Sequence, residues 1–454
     1  MTIRHNARGA SGGIPTISRL DSFRYALSQL LPIFLAGLFY PRRFWVGLLT
    51  RFHPDPLGVR IVSRLRQKYG QPYLYIKLLR SKSLLVLDPD GIQRVLDNSP
   101  EVYGDPETKR RGMSHFQPNA VTISRGADWV DRRRFNDAVL ACPGGRHEFA
   151  GAFLKVIEEE VAAVTKTAAT RLRWREFERL FEPIMLRIVF GSADRADFAA
   201  SRRLRALMRQ SNRVRGLGRS RHFGPLYARI RDHLNAPQPN SLATHAARTP
   251  HSEITRAENQ FPHWMFASRD TLAINTARTL ALIAAHPAVG AKVTRELADA
   301  DLASPDGIES LAYLEGCVQD AMRLWPTTPI LARETLRQDD LNGHAVPAGT
   351  QVLILNGFNH RDGLGADRAN RFSPDPWMNT RADYRFNHFS NGRQSCAGKD
   401  LALFIAKAVL ANLLKEHDYR LIRPALDSDG PIPHAFNYFR LILCREPRAR
   451  TEDG

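Results

Sequence analysis

Phe389-Ser-Asn-Gly-Arg-Gln-Ser-Cys-Ala-Gly398 is the stretch on which the reading of this chain turns. It sets one cysteine in a frame of Phe389, Gly392, Arg393 and Gly398, the pattern F-x-x-G-x-R-x-C-x-G. The run that follows, Lys399 to Lys415, is rich in Ala, Leu and Lys and predicts a helix. Cys396 then sits just before a helix N-terminus, where backbone N–H groups and the macrodipole favour an anion. Glycines in the same loop let a flat, bulky group approach the backbone. A thiolate in that setting suits a haem iron, with 389–398 as the ligand loop. A buried structural cysteine in an ordinary loop-to-helix connection is the plainer alternative.

Around this loop the composition is that of a folded, core-forming chain. Of 454 residues, 43% are hydrophobic and 24% charged, and no Gly/Ser- or Pro-rich linker divides them. Residues 1–19 are polar and expected as a mobile tail, with 20–454 as a single domain. Cys142, Cys317, Cys396 and Cys444 show no metal-type spacing and no disulfide framework, which points to a reducing, cytoplasmic setting. The formal charge of +19 and pI near 10.2 suit nucleic acid or an anionic membrane as partner. Arginine spread over a solvated face explains the same totals.

The segment 27–49 is apolar but interrupted at Pro41-Arg42-Arg43, so it is too short to span a bilayer. It is expected as an N-terminal helix packed on the body, with a membrane-surface segment as the second reading. Pro72 to Pro89 reads as two strands around a polar turn, at the edge of a small sheet, followed by a short helix over Asp90 to Leu96. Trp129 and Arg133 are four apart on a helix running toward Leu140, a spacing that aims an indole N–H and a guanidinium at carboxylates. A core Trp beside an exposed Arg fits as well.

Helical periodicity continues over Glu148 to Phe190. Arg202, Arg203, Arg205, Arg209, Arg213, Arg215, Arg219, Arg221, Arg229 and Arg231 then form a basic region broken by glycines, read as helix, mobile loop, helix. Its few aromatics argue against single-strand nucleic-acid binding. Ile254 to His286 reads as one long helix, with Asp270 and Thr271 set among apolar residues. An acid beside a hydroxyl there can relay protons, or it can pair with an Arg while the Thr bonds its own helix. Asp320 and Arg323 share a helical face with apolar flanks and predict a buried ion pair. Ile330 to Thr335 and Gly349 to Leu355 read as strands with a turn at Asn342-Gly343; Arg333, inside the first, needs an anionic partner.

Taken together these pieces resemble the cytochrome P450 family, from about Pro54 to the C-terminus, in its soluble bacterial-type form. The resemblance implies a mainly α fold, the triangular prism with a small β-rich subdomain, and puts Cys396 in the place of the axial ligand of haem b. It implies propionate contacts from Trp129, Arg133, Arg333 and Arg393, packing of Phe389 near the sulfur, and close approach at Gly398. Ala267-Ser-Arg-Asp-Thr271 is similar to the family's oxygen-activating segment, with Asp270 supplying protons and Thr271 a hydrogen bond. Three positions depart from the pattern. Asp320 replaces the usual Glu of Glu-x-x-Arg. Pro376 stands where a third, arginine partner falls, so Arg323 is expected to lose a neighbour. Ser268 replaces a glycine.

The function implied is a haem-thiolate monooxygenase acting with O2 on a hydrophobic small molecule, such as a fatty acid, terpenoid or steroid-like compound. Electrons from NAD(P)H are expected through a separate ferredoxin- or flavodoxin-type donor and its reductase, to a monomeric cytoplasmic enzyme with peripheral membrane contact as a further option. Two rivals stand beside it: a haem-binding relative without monooxygenase activity, and a basic nucleic-acid-binding protein, which would leave the cysteine loop unexplained.

Overall fold

Long stretches with a 3.6-residue apolar period and a few short period-two runs divide the chain, and the fold follows that division. The computed structural model describes residues 13–52, 54–78, 81–140, 146–167, 170–213, 220–379 and 383–448. It is mainly α, with three small sheets. Helix Lys399–Leu414 lies at the centre of the helical core. From Leu403 to Leu414 every side chain is buried, against helices Ala150–Thr167, Leu272–Ala285 and Ala312–Leu324. A helix apolar on nearly all sides has to be surrounded by protein, and the cysteine loop opens its exposed N-terminal end, where Lys399 and Asp400 face solvent.

The largest sheet orders its strands Tyr73–Leu78, Ser81–Val86, Gln351–Leu355, Ile330–Thr335 and Tyr103–Gly104. The hairpin expected between Pro72 and Pro89 is thus its edge. Ser81–Val86 runs parallel to Gln351–Leu355, and Arg333 pairs across to Val352 in antiparallel register. Asn342 and Gly343, both at positive φ, turn the small hairpin Asp339–Leu341 to His344–Val346.

Several expectations need correction. The helix read from Ile254 begins only at Phe261, with Pro262 in its first turn; Ala257–Asn259 is a separate 3-10 turn. Within Glu148 to Phe190, a short strand Arg171–Arg173 separates the two helices because it pairs with distant Ile442–Pro447. Of the expected tail, residues 1–12 lie outside the described residues. The rest does not behave as a tail, since Ile17 is buried and its N–H donates to the Tyr75 carbonyl at 2.9 Å. The segment 27–49 is not one packed helix. It breaks at Gly37 (φ 101°), where a Cβ would meet the Tyr40 carbonyl oxygen at 2.3 Å. The basic region is two helices, Arg195–Ser211 and Phe223–Asn235, around residues 214–219, which lie outside the described residues with Arg215 and Arg219. Part of its charge is compensated: Arg205 pairs with Glu182, and Arg229 with Asp194 and Asp197.

Candidate functional site

The cysteine loop is shaped by its own backbone. The Cys396 N–H donates to the Phe389 carbonyl at 2.8 Å, closing the loop on itself. Gly392 adopts φ 66°, and a Cβ there would sit 2.3 Å from the Leu96 carbonyl oxygen, so only glycine lets the loop rest on helix Pro89–Asp97. Gly398 is different. A Cβ would meet nothing closer than Leu140 at 3.7 Å, so no protein atom requires glycine at that position.

Cys396 combines an accessible side chain with a dense protein surround. Burial is the largest influence on its thiol and pushes the pKa up; the Gly398 N–H and the Arg133 charge pull it down, and Asp400 adds to the rise. The helix terminus by itself does not keep this sulfur ionised, because desolvation outweighs it. A cation bound to the sulfur would.

Trp129, Arg133 and Arg393 meet at the loop. Arg133 donates to the carbonyls of Arg393 at 2.9 Å and Ser395 at 2.6 Å, and pairs with Asp137 at 2.8 Å. It therefore ties helix Gly126–Leu140 to the residue preceding Cys396. Trp129 is buried beneath the Arg393 guanidinium, which stands 5.7 Å from the ring centre and is paired outward with Glu101. Arg333 is the most telling. It is buried, donates to Ser99 Oγ at 3.3 Å and to a neighbouring carbonyl, and its nearest acid is Asp105 at 3.9 Å. That same Asp105 oxygen is held by Lys109 at 2.5 Å. Burial pushes the Arg333 pKa down, so its charge is under-compensated and the site calls for another anion. Asp105 and Lys109 escaped the sequence reading, since nothing local marks them.

The brace below the loop is complete. Asp320 and Arg323 are fully buried and bonded at 2.6 and 3.1 Å. Asp320 also accepts from Trp377 Nε1 at 2.9 Å and from the Ser373 N–H at 2.8 Å, while Arg323 reaches the carbonyls of Ala369 and Arg371. Carbonyls thus take the remaining Arg323 donors where a third arginine was expected to be missing at Pro376, and the next residue gives Asp320 an indole donor. His360, also unforeseen, links brace to loop. Its Nε2 accepts from the Asn387 N–H at 2.9 Å, which makes Nδ1 the donor to the Arg323 carbonyl at 3.2 Å.

On the central helix, Ala267–Thr271 forms a single π-turn, a local widening that often marks a functional stretch. Asp270 is held in a bidentate pair by buried Arg269, at 2.7 and 2.5 Å. Thr271 is partly accessible, and its hydroxyl has no hydrogen-bond partner among the described residues. Phe266 lies edge-on to Phe116, and Phe116 to Phe39, giving this side an aromatic wall. The helix continuing from Thr271, Leu272–Ala285, packs on Lys399–Leu414.

Burial pushes several histidines toward the neutral form, His360 well below the usual imidazole range, His263 down to about 4, and His388 and His434 down to about 3. Below the unfolded-state value near 6.5, the unfolded chain binds protons that the folded chain refuses. Stability is therefore full above that pH and falls on acidification. Each group costs about 1.4 kcal/mol per pH unit. Urea unfolding midpoints should accordingly drop between pH 7 and 5; an unchanged midpoint would show that the rings are protonated in the fold.

Residues 244–434 match the family model described as Cytochrome P450. The chain is 30% identical to "Cytochrome P450 4c3" of Drosophila melanogaster over 164 residues, 34% of this chain and 31% of that protein. It is 32% identical to "Sugiol synthase" of Salvia miltiorrhiza over 160 residues, 33% of this chain and 32% of that protein. Similarity to "Cytochrome P450 714C2" of Oryza sativa subsp. japonica is wider and weaker, 23% over 398 residues, 78% of this chain and 76% of that protein. The chain thus spans about a third of the length of the first curated relatives it matches. These relatives are eukaryotic and lend nothing to the bacterial-type expectation.

Proposed function

We propose that this chain is a cytochrome P450, the family whose model matches residues 244–434, and that it is a haem-thiolate monooxygenase inserting one oxygen atom from O2 into a hydrophobic organic substrate. The observation that carries this reading is the accessible Cys396 thiol, on a loop tied to Phe389, to Arg133 and to the helix it opens. The residues fit haem b. Cys396 would hold the iron, Phe389 would shield the sulfur, and Gly398 leaves room beside it. Arg333, short of an anion, would take one propionate, with Trp129, Arg133 and Arg393 at the loop side for the other. Bound there, the haem supplies oxygen activation, and thiolate donation favours O–O cleavage.

The chain's own residues do the rest. Thr271 offers a free hydroxyl as donor and acceptor. Asp270 can exchange a proton only as its pair with Arg269 loosens, so proton delivery is coupled to that pair. Phe266, Phe116 and Phe39 favour an apolar substrate of the fatty-acid, terpenoid or steroid-like kind and exclude water. A separate ferredoxin- or flavodoxin-type donor with its reductase, drawing on NAD(P)H, would meet a basic surface suited to acidic partners.

The protein carrying haem should show the reduced-CO band of thiolate-ligated haem. With an NAD(P)H-driven donor system it should form oxygenated product from at least one member of a lipid and terpenoid panel. That band without product from any member would leave a haem protein without monooxygenase activity. Arg333 gives a sharper check. Arg333→Met removes an under-paired buried cation, so the haem-free fold should be unchanged or up to about 1–4 kcal/mol more stable. Haem should nevertheless dissociate faster, by roughly 10-fold or more. Destabilisation of the haem-free form would show that Asp105 already satisfies Arg333.

A further inference from the structure

The helical stretch Arg19–Tyr25, Ala26–Leu30 and Leu31–Ala36 is built inside out. It buries Asp21, Ser22, Tyr25, Ser28 and Pro32. Leu20, Phe23, Leu27, Leu31 and Phe34 stand exposed, at steps of three and four residues. A helix resting on a protein normally turns its apolar stripe inward. Here the inward face is held by polar contacts, Asp21 accepting from Lys68 at 2.6 Å and from the Tyr69 hydroxyl at 3.1 Å. Beyond Gly37, helix Arg43–Phe52 has no fully buried side chain: Trp45, Val46, Leu48 and Leu49 are half-buried, and Phe44 and Phe52 stand out. Phe44 and Phe52 are each 73% exposed.

Among the described residues, nine exposed large hydrophobics fall between Leu20 and Leu57, and four are scattered singly over the remainder. Single exposed hydrophobics are ordinary; a cluster of this kind marks a contact surface. Its charge is one-sided. No Asp or Glu lies between Asp21 and Asp55, whereas Arg24, Arg42, Arg43 and Arg51 do. Arg42 caps the carbonyls of Phe34 and Leu35, and Arg43 pairs with Glu178. Arg24 approaches Asp21 only at 3.9 Å. Arg51, with Arg60 and Arg64 on helix Pro54–Tyr69, is exposed and free of any ion pair among the described residues.

We propose that this face docks on an anionic bilayer, with Leu20 to Phe34 and helix Arg43–Phe52 lying in the interface plane. Apolar side chains would enter the headgroup–acyl boundary while the arginines meet lipid phosphates and carboxylates. The contact is peripheral, since no described helix is long and apolar enough to cross a membrane. A second copy is a poor occupant, because a two-fold contact would set these arginines against one another. Residues 1–12 are a poor cover, with Met1, Ile3, Ala7 and Ala10 as their only apolar side chains other than glycine. An acidic protein would match the charge, but would need an equally large apolar face of its own.

The test uses the full-length chain carrying haem, sedimented with vesicles of phosphatidylcholine alone or mixed with phosphatidylserine. Binding is expected to the mixed vesicles, to be weaker on phosphatidylcholine alone, and to fall with added salt. The pair Phe44→Ser and Phe52→Ser should cut partitioning by about 100-fold, and the pair Leu31→Ser and Phe34→Ser should do the same, with circular dichroism and the haem spectrum unchanged. No sedimentation with either vesicle overturns the proposal. So does equal binding to both, and so does a concentration-dependent dimer that Phe44→Ser and Phe52→Ser abolish.

Discussion

Replacing Cys396 with Ala is expected to abolish the reduced-CO band of thiolate-ligated haem and to reduce turnover by more than the roughly 10–100-fold that loss of an outer partner costs a metal site. The fold should hardly notice. The side chain is exposed rather than packed in a core, and the bonds that shape the loop run through backbone. Removing the thiol therefore creates little new cavity, and unfolding free energy should change by less than about 1 kcal/mol. Cys396→Ser, closer in shape, should fold equally well and lose the same band.

The other described cysteines do not offer a substitute. Cys317 is buried in helix Ala312–Leu324, its thiol pushed well up by burial and then by Asp320, which opposes formation of a thiolate. Cys444 lies in the strand Ile442–Pro447, opposite Arg171 and Arg420. Survival of the thiolate band in Cys396→Ala would assign the ligand elsewhere; Cys142 lies outside the described residues and would be the next substitution.

What could be read in advance was what short range determines. The loop 389–398, the edge hairpin, the short helix after it and the strand holding Arg333 announce themselves through glycine placement and apolar period. What escaped was set by residues distant in sequence. Trp377 and His360 are unremarkable in their own neighbourhoods, and become important only because Asp320 and Asn387 fold against them. The strand Arg171–Arg173 exists only because Ile442–Pro447 lies beside it. The N-terminal stretch was misread for a different reason. Apolar periodicity reports which face is apolar, not which face points inward, and Leu20 to Phe34 turn that face outward. Asp270 shows a third case: its motif was visible, but its pairing with the adjacent Arg269 depends on Ser201 holding that arginine buried.

Asp320→Ala should destabilise the protein by about 3–5 kcal/mol, because it leaves the fully buried Arg323 guanidinium with carbonyl partners alone. Trp377 Nε1 and the Ser373 N–H would lose their acceptor in the same change. Trp377→Phe keeps the ion pair and removes one donor to a carboxylate, a loss of about 1.5–3 kcal/mol. Restoring the family's usual residue is not expected to help. In Asp320→Glu the added methylene drives the carboxylate toward space that the indole and the Ser373 N–H already fill, at a cost of about 1–3 kcal/mol. Combining Asp320→Glu with Trp377→Phe should cost less than the two added separately, since the indole is the group being crowded. Urea unfolding of the haem-free chains measures each value. Haem release should follow the same order, because the Arg323 carbonyl positions His360, and His360 holds the backbone of Asn387 two residues before the loop begins. Additive costs in the double variant would mean that aspartate and tryptophan are not a matched pair, and a loss under about 1 kcal/mol for Asp320→Ala would mean that Arg323 is neutralised by something other than this carboxylate.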